Sequence, residues 1–165
     1  MNEEYAKVMD ALAKEDSVRL RELASDYSDE AAIRQDEQTI LLAVITYSFH
    51  KIFSKIHMRE KTEGLVESSM KYLSEGRLDD VIKEIDAFDN EYGLFQGGLV
   101  GKARIKIGSR IYSRGMSITH SATLSGAPVS ELLDYAGDTK QHEAKERIPL
   151  HERLNRARDL FKACK

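Results

Sequence analysis

Residues 97–137 read GGLVGKARIKIGSRIYSRGMSITHSATLSGAPVSELLDYAG, and this stretch decides the fold of the C-terminal half. Apolar side chains recur at helical spacing over residues 97–114, which predicts one helix. Shorter helices are predicted over residues 117–125 and 128–136, with a Gly-Ala-Pro corner between them. Because glycine permits a left-handed turn and proline presets the first turn of a helix, the pair is typical of a helix-turn-helix.

The spacing of small and apolar residues supports this interpretation. Ala122 lies four residues before Gly126, and Leu132 and Tyr135 follow ten and thirteen residues after Ala122. A small residue lets the two helices approach, and the later apolar pair seats the second one. Ser125 departs from the pattern, since an apolar residue usually stands there.

The helix predicted over residues 97–114 carries an apolar face and, beside it, a basic stripe. The stripe has one cation every four residues: Lys102, Lys106, Arg110 and Arg114. Like charges at this spacing repel, so acids or phosphates must neutralise them. Phosphate neutralisation supplies most non-specific affinity for nucleic acid, so the stripe indicates phosphate binding. The alternative is an ion-pair ladder with the acidic half of the same chain.

The side chains of the helix predicted over residues 128–136 argue against sequence-specific binding of DNA. Base edges are commonly read by Arg, Lys, Asn or Gln, whereas this helix is expected to expose Ser130, Glu131 and Asp134. Carboxylates would repel phosphates, so the motif could instead dock a protein. If nucleic acid binds, the stripe is expected to hold phosphates and Ser117, Thr119 and Ser130 to act as neutral donors.

Charge is distributed unevenly along the 165 residues, a length that fits a single domain. Residues 1–91 hold 21 acids and 12 bases, whereas residues 92–130 hold five bases and no acid. Such asymmetry hints at an interaction surface. The alternative is that the acidic and basic segments pack side by side.

The N-terminal half predicts a bundle of helices. The first covers residues 3–14, and the second follows a cap at Asp16 or Ser17, with Ser28-Asp29-Glu30 as another start. Residues 31–56 predict one long helix, or two joined near residues 35–37. Residues 39–49 are apolar on nearly every side and too few to span a bilayer, which predicts a central buried helix.

Helical patterns continue to the end of the chain. Residues 65–74 and 78–92 predict a hairpin around Gly76, and Gly137 to Thr139 are expected to end the helix over 128–136. A loop over residues 140–147 and a last helix over 149–163, which docks on the core or forms a homodimer, complete the prediction. The fold class is therefore all-α, with eight or nine helices around a central hydrophobic one. Within this single domain, residues 1–92 are expected to form an acidic helical bundle, residues 97–137 the helix-turn-helix-like region and residues 149–163 a C-terminal docking helix.

No residue pattern predicts catalysis, a cofactor or a metal. His50 and His57 are expected two turns apart on one helix, without zinc-site spacing. The glycines from Gly97 lack the phosphate-loop spacing. A third hypothesis is a ribonuclease-like helical enzyme that uses Arg147 and His151. The lone cysteine and the acidic N-terminus favour a cytoplasmic protein without signal peptide or membrane contact.

A family resemblance rests on residues 107–143, which include YSRGMSITHSATLSGAPVSELLDYAGDTKQHE. This stretch, about a quarter of the chain, resembles a helix-turn-helix block of small uncharacterised, mainly archaeal proteins, some labelled predicted transcriptional regulators. The resemblance implies an all-helical fold, a regulatory or DNA-associated role and no catalytic residues. We therefore expect a DNA-binding or transcription-associated regulator. The alternative is a protein-interaction or scaffold domain, often oligomeric, without nucleic-acid contact.

Overall fold

The computed structural model describes residues 3–145, and this part of the chain is entirely helical, which confirms the predicted all-α class. Eight α-helices follow one another, with a short 3-10 helix (Ile56–Lys61) after the third. Their bounds are α1 (Glu3–Ala13), α2 (Ser17–Arg34), α3 (Glu37–Phe53), α4 (Glu63–Ser74), α5 (Leu78–Tyr92), α6 (Leu99–Ser113), α7 (Ile118–Ser125) and α8 (Val129–Lys145). Across residues 3–145, no helix is long and apolar enough to cross a membrane.

Helix α3 is the centre of the core, as its apolar surface predicts. It packs against α2, α5, α6 and α7, and its largest side chains, such as Phe49 and Ile45, are fully buried. Each such burial contributes about 1.5–3 kcal/mol to stability. Asp36 begins the helix by accepting hydrogen bonds from the Thr39 amide at 2.9 Å and the Thr39 hydroxyl at 2.7 Å.

Helix α2 is longer than the sequence pattern predicts. It starts after the Asp16 cap, whose carboxylate accepts from the Arg19 amide at 2.9 Å, and runs unbroken to Arg34. A helix start at Ser28 is therefore wrong, because the Ser28 hydroxyl donates to the Ala24 carbonyl within the continuing helix. The break falls at Gln35, in the left-handed conformation at φ 56°, so the two-helix alternative is correct.

Helices α4 and α5 pack against each other as the predicted hairpin. Gly76 lies in their connection with φ +74°, a conformation that costs a glycine little. Helix α5 also packs against α3, whereas α4 packs against α1 and α5. Helix α6 contacts α2, α3 and α5, and α7 contacts α3.

Helices α6, α7 and α8 pack on one another at the C-terminal end of the described chain. Ser117 caps α7, and Gly126 ends it with φ +68° while its N–H donates to the Ala122 carbonyl. The predicted end of the next helix near Gly137 is wrong, as is the predicted loop over residues 140–145. Gly137 does not adopt a positive φ, so α8 continues to Lys145. The helix predicted over residues 149–163 lies outside the described residues.

Candidate functional site

The basic stripe of α6 divides into two pairs of cations with different surroundings. Arg110 and Arg114 both reach across to Asp29 of α2. Arg110 donates through Nε at 2.8 Å and Nη2 at 2.9 Å, and Arg114 through Nε at 2.9 Å and Nη2 at 2.6 Å. For these two arginines, the structure shows the predicted alternative of ion pairing with the acidic half.

The contact with the two arginines lowers the pKa of the Asp29 carboxyl group. Hydrogen bonds from Arg110, followed by those from Arg114, hold the pKa of Asp29 well below its usual range, although partial burial opposes them. The same contact raises the pKa of Arg110. The three groups together keep a formal charge of +1, so this part of the stripe offers one uncompensated cation to an external anion.

Lys102 and Lys106, the other two cations of the stripe, are exposed. Neither forms an ion pair with any side chain that the structure describes. The Lys106 ammonium lies 5.4 Å from the centroid of the Tyr135 ring on α8. Lys102 folds back toward Gly97 at the start of α6. The two lysines therefore point to different neighbours rather than forming one row with the arginines.

Packing between α6 and α7 explains why a serine fits at position 125. Gly108 of α6 lies directly opposite, and a Cβ added there would lie 2.5 Å from the Ser125 hydroxyl oxygen. Arg104 also contacts this corner, since its Nη1 donates to the Ser125 carbonyl at 2.9 Å. The missing side chain of Gly108 thus compensates for the departure of Ser125 from the usual pattern.

The predicted neutral donors lie at the starts of α7 and α8. Ser117 is committed to the α7 cap, where its hydroxyl accepts from the His120 amide at 3.3 Å. Thr119 and Ser130 are exposed near the starts of α7 and α8.

The outer face of α8 combines apolar and acidic side chains. Val129 and Leu133, one helical turn apart, are 40% and 50% exposed. Glu131 and Asp134 are also exposed on α8, but they lie one helical turn from each other, and Glu131, two residues from both Val129 and Leu133, is not in their row. The exposure of Leu133 was not predicted from sequence. The signal was the pair Leu132-Leu133, because adjacent residues of a helix point in different directions, and Leu132, which is fully buried, is the one that faces the core.

His50 and His57 lie in different helical elements. The His50 ring is bound to Ser17, with Nδ1 2.9 Å from the Ser17 carbonyl, and burial lowers its pKa. His57 lies in the 3-10 helix after α3, so its predicted place on one helix with His50 is wrong. Among the side chains that the structure describes, no cluster of potential metal ligands occurs. The Arg147–His151 pair lies outside the described residues.

The start of α6 is closed to phosphate by the chain's own carboxylate. Gly97 and Gly98 have φ values of +82° and +81° and form the loop before Leu99. The buried Asp89 side chain accepts from the Phe95 amide at 3.0 Å and from the Leu99 amide at 2.7 Å. A negative group already occupies the helix N-terminus, where a phosphate would otherwise bind.

Comparison of this chain with protein-family models, with curated proteins and with solved structures finds no match. The resemblance of residues 107–143 to helix-turn-helix proteins therefore stays a prediction.

Proposed function

We propose that this protein is a non-catalytic protein-interaction module whose partner docks on the outer face of α8. The observation that carries the proposal is the exposure of Val129 and Leu133, at 40% and 50%, on a helix that also exposes two carboxylates. Apolar residues of this size are usually covered when a partner binds, since burial of apolar surface drives association. Sequence analysis gave this function as the alternative to DNA binding.

The two exposed carboxylates of α8 favour a basic partner. Glu131 and Asp134 favour a segment that presents lysine or arginine next to its own apolar side chains. An amphipathic helix with leucines on one face and basic residues along the border has this chemistry. The same carboxylates repel the phosphates of a nucleic acid, which is why a protein partner fits this face better.

The test uses the full chain and a labelled model peptide that is helical, with leucines on one face and lysines beside them. We measure binding by fluorescence anisotropy for the wild type and for Leu133→Ser. Burying the exposed half of a leucine contributes about 1 kcal/mol, so the substitution should raise Kd about fivefold.

Ile33→Ser is the matched control, because Ile33 is 82% exposed but lies near the end of α2. It should leave Kd unchanged. A second peptide with glutamates in place of lysines should bind more weakly than the first. Equal affinity of Leu133→Ser and the wild type, or preference for the glutamate peptide, contradicts the proposal.

Nucleic-acid binding through phosphates is the second candidate, and one observation favours it. Lys102 and Lys106 are exposed and without ion pairs among the described side chains, on the helix that leads into α7 and α8. In this proposal the protein is a DNA-binding or transcription-associated regulator. Ser117, Thr119 and Ser130 add neutral contacts, and a homodimer engages paired half-sites.

Duplex DNA titrated at several salt concentrations tests this candidate. Each phosphate contact contributes about one unit to the slope of log K against log salt concentration, so replacing Lys102 and Lys106 by Gln should reduce the slope by about two. Lys71→Gln on α4 is the control and should leave the slope unchanged. Duplex binding that ignores salt speaks against phosphate contact. Sedimentation of the free protein reports whether it is a dimer.

A further inference from the structure

A cleft of about 590 Å³ opens between α2, α3, α6 and α8. Residues one helical turn apart line two of its sides. Tyr47 and Lys51 lie one turn apart on α3, and Lys106 and Arg110 lie one turn apart on α6. Tyr135 of α8 lines the same space. The cleft is separate from the outer face of α8, and its role does not depend on the partner proposed there.

Positive charge dominates this cleft in a chain whose formal net charge is −3. Five charged residues line it, four basic and one acidic: Arg21, Lys51, Lys106, Arg110 and Glu22. Two of the five are already paired, Arg110 with Asp29 and Glu22 with Arg19 at 3.0 Å. The other three cations form no ion pair with the side chains that the structure describes. The cleft thus concentrates three uncompensated positive charges.

Two of these cations are placed over aromatic rings. The Lys51 ammonium lies 5.5 Å from the Tyr47 ring centroid, and the Lys106 ammonium lies 5.4 Å from the Tyr135 ring centroid. A cation over a ring face is attracted by the ring quadrupole, which restricts where each flexible lysine points. Burial, and then the neighbouring Tyr135, raises the pKa of Tyr47, so its phenol stays protonated and can donate a hydrogen bond.

We propose that this cleft binds a small phosphate monoester. A dianionic phosphate accepts hydrogen bonds from ammonium, guanidinium and phenol groups, and the cleft supplies all three from Lys51, Lys106, Arg21 and Tyr47. Its volume falls in the range of small-molecule sites and exceeds what a phosphate alone fills. The remaining space accommodates an organic group. The sequence does not predict this site, because its cations come from three different helices.

The test is isothermal titration calorimetry of the full chain with ribose 5-phosphate, with inorganic phosphate and with ribose. The phosphorylated sugar should bind, and ribose should not. Lys51→Gln and Lys106→Gln should each raise the Kd for ribose 5-phosphate about tenfold, since each removes one charge-assisted contact. Lys102→Gln is the matched control: it lies one turn before Lys106 on the same helix but does not line the cleft.

Three results overturn the proposal. The first is the absence of heat from ribose 5-phosphate at millimolar concentration with folded wild-type protein. The second is an unchanged Kd in both Lys51→Gln and Lys106→Gln. The third is weakening of duplex DNA binding by Lys51→Gln while ribose 5-phosphate does not bind, which would assign the cleft to a nucleic-acid phosphate. Circular dichroism of each variant verifies that it is folded, which is expected because no salt bridge is removed.

Discussion

Replacing Asp29 by Asn tests the contact that joins α2 to α6. The carboxylate receives four hydrogen bonds, at 2.6 to 2.9 Å, from Arg110 and Arg114. The side chains of Asp29, Arg110 and Arg114 are 35%, 36% and 53% exposed, so solvent screens the pairs. The substitution also leaves two arginines one turn apart without a counter-charge.

The exposed fractions set the size of the effect. Fully exposed ion pairs contribute about 0.2–1 kcal/mol each, and hydrogen bonds to charged groups contribute about 1.5–3 kcal/mol when buried. For two half-exposed pairs, with an asparagine that still accepts hydrogen bonds, we expect a loss of about 1–2 kcal/mol. In a chain of this length, that lowers Tm by about 2–8 °C. Thermal unfolding followed by circular dichroism measures it.

Salt and pH identify the origin of the loss. The difference in Tm between wild type and Asp29→Asn should shrink toward 1 M salt, where the screening length is about 3 Å. The folded-state pKa of Asp29 lies below the unfolded value of about 3.9. Its stabilisation is therefore fully present above that value and is lost as pH falls toward the folded-state pKa.

Asp26→Asn is the matched control, because it removes the same charge from an exposed position three residues earlier on α2. Asp26 forms no ion pair with the described side chains, so only its weak long-range attraction to the arginines is lost. Equal Tm values for Asp29→Asn and Asp26→Asn would refute the reasoning. A difference that does not respond to salt would also refute an electrostatic origin.

Three further substitutions and one titration test other parts of the fold. Gly108→Ala should lower the free energy of unfolding by about 1–3 kcal/mol, because the new Cβ would lie 2.5 Å from the Ser125 hydroxyl oxygen. Gly101→Ala on the same helix has open space around the new Cβ and should raise the free energy of unfolding by about 0.4–1 kcal/mol. Thermal unfolding measures both changes. Asp89→Ala should cost about 1–3 kcal/mol in urea unfolding, because two amides at the start of α6 lose their acceptor. The His50 ring should titrate by NMR with a midpoint below 6.5, because burial disfavours its charged form. A midpoint above 6.5 would contradict this environment.

Local sequence patterns predict most of the helices, because their causes lie within a few residues. The Asp16 cap, the apolar residues 39–49 and the left-handed Gly76 and Gly126 each act on their own turn of chain. The errors also have local causes. Gly137 keeps a helical backbone where a terminating glycine was expected, and a glycine ends a helix only when it adopts a positive φ.

The candidate sites could be predicted only in part. The sequence identifies the cations of α6 and the acidic residues Glu131 and Asp134, because helical spacing assigns residues to faces. It does not identify Asp29 as the partner of Arg110, since 81 residues separate them. For the same reason, it does not bring Arg21, Lys51 and Lys106 to one cleft.

The sequence alone determined that this chain is helical, that residues 39–49 form its buried centre and that α6 carries four evenly spaced cations. Those properties depend on periodicity and on the conformational range of single residues. Only the tertiary structure decided which cations stay available. The packing of α2 against α6 pairs both Arg110 and Arg114 with Asp29, whose single charge compensates only one of them. The packing of α6 against α3 and α8 places Lys51 and Lys106 around an open cleft. The physical reason is that electrostatic energy depends on distance in space, which the sequence specifies only through the fold.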